Sequence, residues 1–289
     1  MASMIISELK EIIREQTQKG FFDAYIRNAL KEYLQVYVLN YLYTTDQYKQ
    51  SLIFTGGTCL RHCFNLNRLS EDIDFDQRSP VDIKQLSNDL LGYFSKKYLY
   101  SDLKISIKQR GRQLLLKFPV LHALELASPS ESDLLYVKLD ISSSTSKNFQ
   151  TQTTLKNLYG FNYVMRHYSL PDLMSGKIAA ILTRQRFWGK SNQATIKGRD
   201  YFDLLWFLDK QIIPNLQRIN DLIKEDLSSK ELVDKLNKKV ELAINKFKLD
   251  FKRDLLPFVA LSEISINDYL KSYQNNYLDK VKYLLKTNQ

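Results

Sequence analysis

Phe54-Thr55-Gly56-Gly57-Thr58-Cys59-Leu60-Arg61, followed by Arg68-Leu69-Ser70-Glu71-Asp72-Ile73-Asp74-Phe75-Asp76, is the stretch that decides the fold. An apolar run, Leu52-Ile53-Phe54, meets a double glycine, passes through a helix predicted over about 58–66, and returns as a strand over 72–76 with alternating carboxylates. Successive side chains of a strand point to opposite faces, so Asp72 and Asp74 project together while Ile73 and Phe75 enter the core. Two carboxylates on one face, with no basic residue between them in the strand, suit a hard cation that prefers oxygen ligands. Mg²⁺ is the expected ion, with Mn²⁺ as a substitute. Lacking Cβ atoms, Gly56 and Gly57 let backbone N–H groups approach an anion, and the following helix points its positive end at the same spot. The expectation is a phosphate cradle, Gly56-Gly57-Thr58, beside a metal site.

The bulk numbers bound what surrounds this stretch. At 289 residues the chain is long enough for two modest domains, each able to bury a core. With 44% hydrophobic and 26% charged residues it reads as a soluble globular protein. No apolar stretch is long enough to span a bilayer, and the N-terminus lacks a basic region followed by an apolar run, so the expected location is the cytoplasm. The formal net charge of +10 favours encounter with a polyanion, although a lysine-rich surface can also be merely solvated. Cys59 and Cys63 stand four apart on the predicted helix. Zinc takes about four ligands, and the neighbouring His62 faces away from them, so both thiols are read as small buried residues. His122 and His167 are read as isolated structural histidines.

Upstream, residues 4–19 and 21–43 have helical periodicity, the second rich in tyrosines whose rings would pack on the core with hydroxyls at the rim. Downstream, Ser79-Pro80-Val81-Asp82 predicts a helix capped by Ser79 and running to about Lys97. A β-hairpin is expected over 103–108 and 113–120, then a strand over 134–142 in which Asp140 is placed to complete a set of metal ligands with Asp72 and Asp74. The Ser/Thr/Asn-rich segment 143–152 marks a boundary between a first domain, 1–150, and a second, 151–289. In the second, a helix introduced by Ser169-Leu170-Pro171-Asp172 carries Lys177 and Arg184, seven apart and on one face. Another, opened by Lys197-Gly198-Arg199, carries Asp200 and Asp203. Ser228-Ser229-Lys230-Glu231 has the form of a capping box, and the rest is helical.

The order of a double glycine and a strand-borne Asp-x-Asp resembles the signature of the DNA polymerase β-like nucleotidyltransferase superfamily. The spacer of fourteen residues from Thr58 to Glu71 is one longer than usual there. Gly56-Gly57-Thr58-Cys59-Leu60-Arg61 with Arg68-Leu69-Ser70-Glu71-Asp72-Ile73-Asp74-Phe75, and later the Lys177…Arg184 and Arg199-Asp200…Asp203-Leu204 helices, is similar to the AbiEii/AbiGii toxin family, the toxin arm of type IV toxin-antitoxin systems. The resemblance covers the motifs from about residue 53 to 208. It implies an α/β (α+β) fold: a polymerase-β-like palm lobe with a mostly helical C-terminal lobe.

It also implies roles. Asp72, Asp74, Lys177 and Asp203 would be catalytic, with Asp72, Asp74 and Asp140 around the metal and Lys177 contacting the nucleotide's phosphates. Gly56, Gly57, Thr58, Ser70, Arg184 and Asp200 would contact substrate, and Arg61 and Arg68 would brace the carboxylate loop. The implied reaction is Mg²⁺-dependent transfer of NMP from an NTP to RNA, with the tRNA 3′ end as the expected acceptor, in a cell that also makes a cognate antitoxin. The basic loop with Arg184, Arg186, Lys190, Lys197 and Arg199, together with Phe187 and Trp188, is the expected acceptor surface. The alternative is a nucleotidyltransferase that modifies a protein or a small molecule, which would share the first motifs without needing a basic groove.

Overall fold

The computed structural model describes residues 4–184, 186–188 and 193–285. They fall into two units, Met1–Ser144 with Gln152–His167, and Thr145–Thr151 with Tyr168–Gln289.

The first unit is built on seven strands: β1 (Leu52–Thr55), β2 (Asp72–Gln77), β3 (Lys104–Lys108), β4 (Gln113–Pro119), β5 (Leu134–Ser142), β6 (Thr151–Leu158) and β7 (Phe161–Tyr168). Their order is β3-β4-β5-β2-β1-β7-β6. β2 runs antiparallel to β1 and parallel to β5, placing Asp72 opposite Lys138 and Asp74 opposite Asp140. Paired residues share a face, so the alternation along β2, β4 and β5 produces one apolar face and one polar face. Ile73, Phe75, Leu114, Leu116, Val137 and Leu139 are buried on the first. Asp72, Asp74, Lys138, Asp140 and Gln113 are half-buried on the second.

Helices α1 (Met4–Gln18), α2 (Asp23–Thr44), α3 (Asp46–Ser51), α4 (Gly56–Phe64) and α5 (Ile83–Tyr98) complete the unit. Nearly every residue of α2 from Leu30 to Tyr43 is buried, which makes it a central helix rather than a surface one. Its tyrosines therefore keep their hydroxyls inside: Tyr33 and Tyr37 hydrogen-bond each other at 2.8 Å, and Tyr43 donates to the Arg166 carbonyl at 2.9 Å. The predicted rim placement gives way to a buried network, because a phenol in the interior needs a partner. α5 begins at Asp82, whose carboxylate accepts from the N–H groups of Lys84 and Gln85. Ser79, expected as its cap, instead donates to Ser51 Oγ at 2.8 Å.

The β6–β7 hairpin is the main departure from the sequence reading. Its two-residue turn, Tyr159-Gly160, has φ of 52° and 76°, the pattern of the hairpin turns that match strand twist. β7 then pairs in parallel with β1, Phe54 opposite His167, so residues 152–167 return to the first unit although the composition shift lies before them.

The second unit contains α6 (Leu170–Thr183), α7 (Gly198–Asp209), α8 (Leu216–Ile223), α9 (Ser229–Asn245), α10 (Lys248–Leu255) and α11 (Glu263–Val281), with a two-stranded ribbon of β8 (Arg186–Trp188) and β9 (Gln193–Thr195). Ser169 caps α6 by accepting from the Asp172 N–H, and Ser228 and Glu231 form the expected capping box on α9. Among the described residues no helix is long and apolar enough to cross a membrane.

Candidate active site

In the first unit the site begins where β1 ends. Thr55 is extended, Gly56 takes a φ of 76°, and α4 starts at once. The first N–H groups of a helix have no partner within it, so Gly56, Gly57 and Thr58 present donors at the positive end of α4. Gly56 is required for a second reason: a Cβ there would stand 2.1 Å from Asp74 Oδ2. The backbone is thus pressed against the carboxylate. At Gly57 a Cβ would meet Arg68 and the Ser70 hydroxyl at 2.7 and 2.9 Å, which places both of those side chains directly against the turn. The Thr58 side chain is fully buried, and its hydroxyl donates to the Asp72 carbonyl.

The carboxylates stand as the strand register dictates. Asp72 Oδ1 is buried without an aligned hydrogen bond, with Lys138 Nζ 3.4 Å away. The strand itself carries no cation between the aspartates, but the neighbouring strand supplies one. Burial pulls the Lys138 ammonium down, yet Asp72, Glu71 and Asp140 outweigh it and hold the pKa above its usual value. Asp140 sits opposite Asp74 and accepts from Gln113 Nε2 at 2.9 Å. Among the described residues the three aspartates do not gather within 4.8 Å as one ligand group. An under-bonded buried oxygen, a carboxylate packed on the glycine turn and a third in register beside it still form an all-oxygen donor set, and the residues fit a hard divalent cation.

The loop leading to these aspartates is fastened from behind. Gln35, fully buried on α2, donates to the carbonyls of Ser70 and Glu71 at 3.1 and 2.9 Å. Arg61 forms a two-pronged pair with Glu32 at 3.0 and 3.2 Å and also reaches the Leu66 carbonyl, while Arg68 donates to the Leu69 carbonyl at 2.8 Å. Both arginines brace the loop. Gln35 is invisible to motif reading, since a glutamine on a buried helix announces nothing until its partners are known.

In the second unit the two late motifs converge. Lys177 Nζ lies 3.0 Å from Asp200 Oδ1 and 2.8 Å from Asp203 Oδ2, and Arg184 pairs with the other oxygen of Asp200. Asp203 is wholly buried and Asp200 nearly so. Burial alone would push the Asp200 carboxyl up, but Lys177, Arg184 and Lys197 together hold it well below the usual carboxylate range. Burial lowers the Lys197 ammonium, opposed by Asp200 and reinforced by Lys177, Arg199 and Arg184. Beside this cluster lies a cavity of about 420 Å³ lined by Arg184, Lys197, Lys239 and Lys246 with Tyr201 and Phe247. Lys239 and Lys246 come from α9 and its end, a segment whose charge pattern alone reads as a solvated face.

The expected acceptor surface is corrected at one position. Arg199 is 6% exposed, bonded to Asp254 through its N–H and Nε, with its guanidinium 3.8 Å above the Phe258 ring. It is a packing cation. Lys190 and the side chains of Arg186, Phe187 and Trp188 lie outside the described residues.

An antiparallel β1–β2 pair with a Gly-Gly helix start between the strands, and carboxylates on the polar face of the sheet, defines a nucleotidyltransferase palm. The fold is shared with solved proteins. JHP933 from Helicobacter pylori matches with a TM-score of 0.50 and 18% identity, over 90% of this chain and 94% of that one. MenT4, a nucleotidyltransferase toxin from Mycobacterium tuberculosis H37Rv, matches with a TM-score of 0.55 and 16% identity, over 92% and 89%. At such identities the likeness is one of fold. Residues 39–275 match the family described as nucleotidyl transferase AbiEii toxin of type IV toxin-antitoxin systems, and the chain belongs to that family. No curated protein matches it in sequence. Membership makes it a nucleotidyltransferase toxin, one of a family that uses an NTP and generally a divalent metal, within a system that includes an antitoxin.

Proposed function

We propose that this protein transfers an NMP unit from an NTP to an RNA acceptor, the tRNA 3′ end, in the cytoplasm, with Mg²⁺ as its metal. The observation that carries the reading is the placement of Asp72, Asp74 and Asp140 on the polar face beside the Gly56-Gly57 turn. Asp72 and Asp74, with Asp140 beside them, would hold Mg²⁺, whose chemistry there is to acidify the acceptor hydroxyl and take up charge on the departing pyrophosphate.

The chain's own groups do the rest. The N–H groups of Gly57 and Thr58 bind phosphate oxygens at the head of α4, while Ser70 and Arg68 line the turn behind them. Lys177 provides a compact positive charge for the triphosphate. Asp200 and Asp203 position that charge, since a lysine held at 3.0 and 2.8 Å by two buried carboxylates keeps one orientation. Arg184, Lys197, Lys239 and Lys246 bind the RNA backbone, and the net charge of +10 supports a polyanionic acceptor over a neutral one.

Pure protein incubated with Mg²⁺, each labelled NTP in turn and total RNA tests the reading by where the label goes. Label joined to RNA 3′ ends is expected, with an apparent KM for RNA whose salt dependence flattens when Lys197, Lys239 and Lys246 are neutralised, by somewhat under one unit of slope per lost contact. Label in protein or in a small-molecule fraction, with RNA unmodified, overturns the RNA assignment in favour of the other acceptor classes.

A further inference from the structure

Cys59, Cys63 and His167 are the one group among the described residues whose metal-ligating atoms, two sulfurs and an imidazole nitrogen, all lie within 4.8 Å of one another. They come from separate parts of the first unit. Cys59 and Cys63 are one helical turn apart on α4, and His167 is on β7, which pairs with β1 two residues before Gly56. His62, the histidine nearest in sequence, is turned elsewhere. His167, read from sequence as isolated, is brought in by the unforeseen hairpin.

We propose that Cys59, Cys63 and His167 form a zinc site, distinct from the carboxylate site and lying behind the glycine turn. Two thiolates and an imidazole are a soft donor set of the kind zinc takes, and tetrahedral zinc places its ligand atoms about 3.5–3.8 Å apart, within a rotamer adjustment of the separation found. Charge selects among soft ions. Two thiolates with Zn²⁺ and a neutral imidazole sum to zero, whereas a monovalent copper ion would leave a net negative charge in a buried place close to Asp74.

The surroundings match a ligating histidine. Thr154 Oγ1 and His167 Nε2 are 2.8 Å apart, and the Phe64 ring packs nearly perpendicular to the imidazole at 5.0 Å between centroids, so the imidazole is orientated by a hydroxyl partner and an aromatic neighbour. Cys59 is fully buried and Cys63 half-buried, which leaves an approach from the Cys63 side for the ion and for a solvent molecule as fourth ligand. Binding releases the two thiol protons to solvent and ties the second half of α4 to β7. Because α4 begins at the phosphate cradle, the ion would stiffen the helix that carries it.

The test uses the full, reduced chain, whose only two cysteines are this pair, so any thiolate–metal signal reports this site. Co²⁺ titration should give sulfur-to-cobalt charge transfer and tetrahedral d–d absorption saturating at one equivalent, reversed by Zn²⁺. Cys63→Ser, at a half-exposed position, should fold and lose the charge-transfer band. Thr154→Val should weaken Zn²⁺ binding by roughly 10–100-fold. Asp72→Asn with Asp74→Asn should retain the band in full, which separates this site from the carboxylates. A wild-type spectrum without thiolate bands, or a Zn²⁺-dependent rise in Tm that is equal in wild type and Cys63→Ser, overturns the proposal.

Discussion

Substituting Gly56 by alanine probes the site without removing any functional group. The new Cβ would lie 2.1 Å from Asp74 Oδ2 and 2.9 Å from its Cγ. Ordinary contact with a Cβ begins at about 3.4 Å, so the oxygen must retreat by roughly 1.3 Å. A misplacement of about 1 Å at a reacting centre costs on the order of a hundredfold in rate, or about 2.7 kcal/mol in the barrier. The left-handed φ of 76° adds about 1–2 kcal/mol of backbone strain in the folded state, a fall in Tm of several degrees. Gly57→Ala is the matched control, because its Cβ meets the Arg68 guanidinium and the Ser70 hydroxyl and none of its nearest contacts is Asp74. Transfer of labelled NMP, measured with Tm on the same samples, should show Gly56→Ala folded and about a hundredfold slower, with Gly57→Ala nearer to wild type. A Gly56→Ala enzyme within a few-fold of wild type, or a Gly57→Ala enzyme the more damaged of the two, would refute the claim that the turn fixes Asp74.

Asp74→Asn should abolish transfer with Tm unchanged or slightly raised, since it removes one of several neighbouring negative charges; growth arrest by the folded variant would remove Asp74 from the metal site. Lys177→Ala should lower turnover about a hundredfold or more, with little rescue by arginine, and should destabilise by about 3–5 kcal/mol because it leaves Asp203 buried without its lysine; near-normal turnover in a folded alanine variant contradicts its role. His62 is buried, which with Lys156 and Arg61 nearby lowers its pKa to about 3. Its folded pKa is below the unfolded value of about 6.5, so its contribution is complete above that value and lost as pH falls toward 3. The loss from about pH 7 to pH 5 is about 2 kcal/mol, which urea midpoints should reveal in wild type and find reduced in His62→Gln; equal acid sensitivity in both excludes His62 as the source.

The motifs were legible because the chemistry that needs them also shapes the chain locally. A double glycine after an apolar run, then aspartates at strand period, determined β1, α4 and β2 to within two residues, whereas Lys177, Asp200 and Asp203 were singled out by the family resemblance of the two late helices. Partners supplied by other strands and helices could not be read. Lys138 meets Asp72 only through the parallel β2–β5 register, and Gln35 reaches Ser70 and Glu71 only because α2 runs through the core. Arg199 misled for a related reason: a cation next to a polar loop has the same sequence signature whether it faces solvent or stacks on Phe258. The β6–β7 hairpin escaped because β6 buries no residue fully and exposes Leu155, Val164 faces outward from β7, and the turn carries only one glycine, so neither strand shows a clean apolar-in, polar-out alternation.

That hairpin has a consequence for how the protein can be made and cut. The chain leaves the first unit at residue 144 and re-enters it at 152 before departing finally after 167. On a ribosome, which delivers residues in order, the strand that flanks the glycine turn arrives last, so until His167 has emerged β1 is an unprotected edge. A fragment ending at 150 would keep every carboxylate of the first unit and still expose that edge to pairing with another chain, making it prone to aggregate. One ending just past Tyr168 would close it.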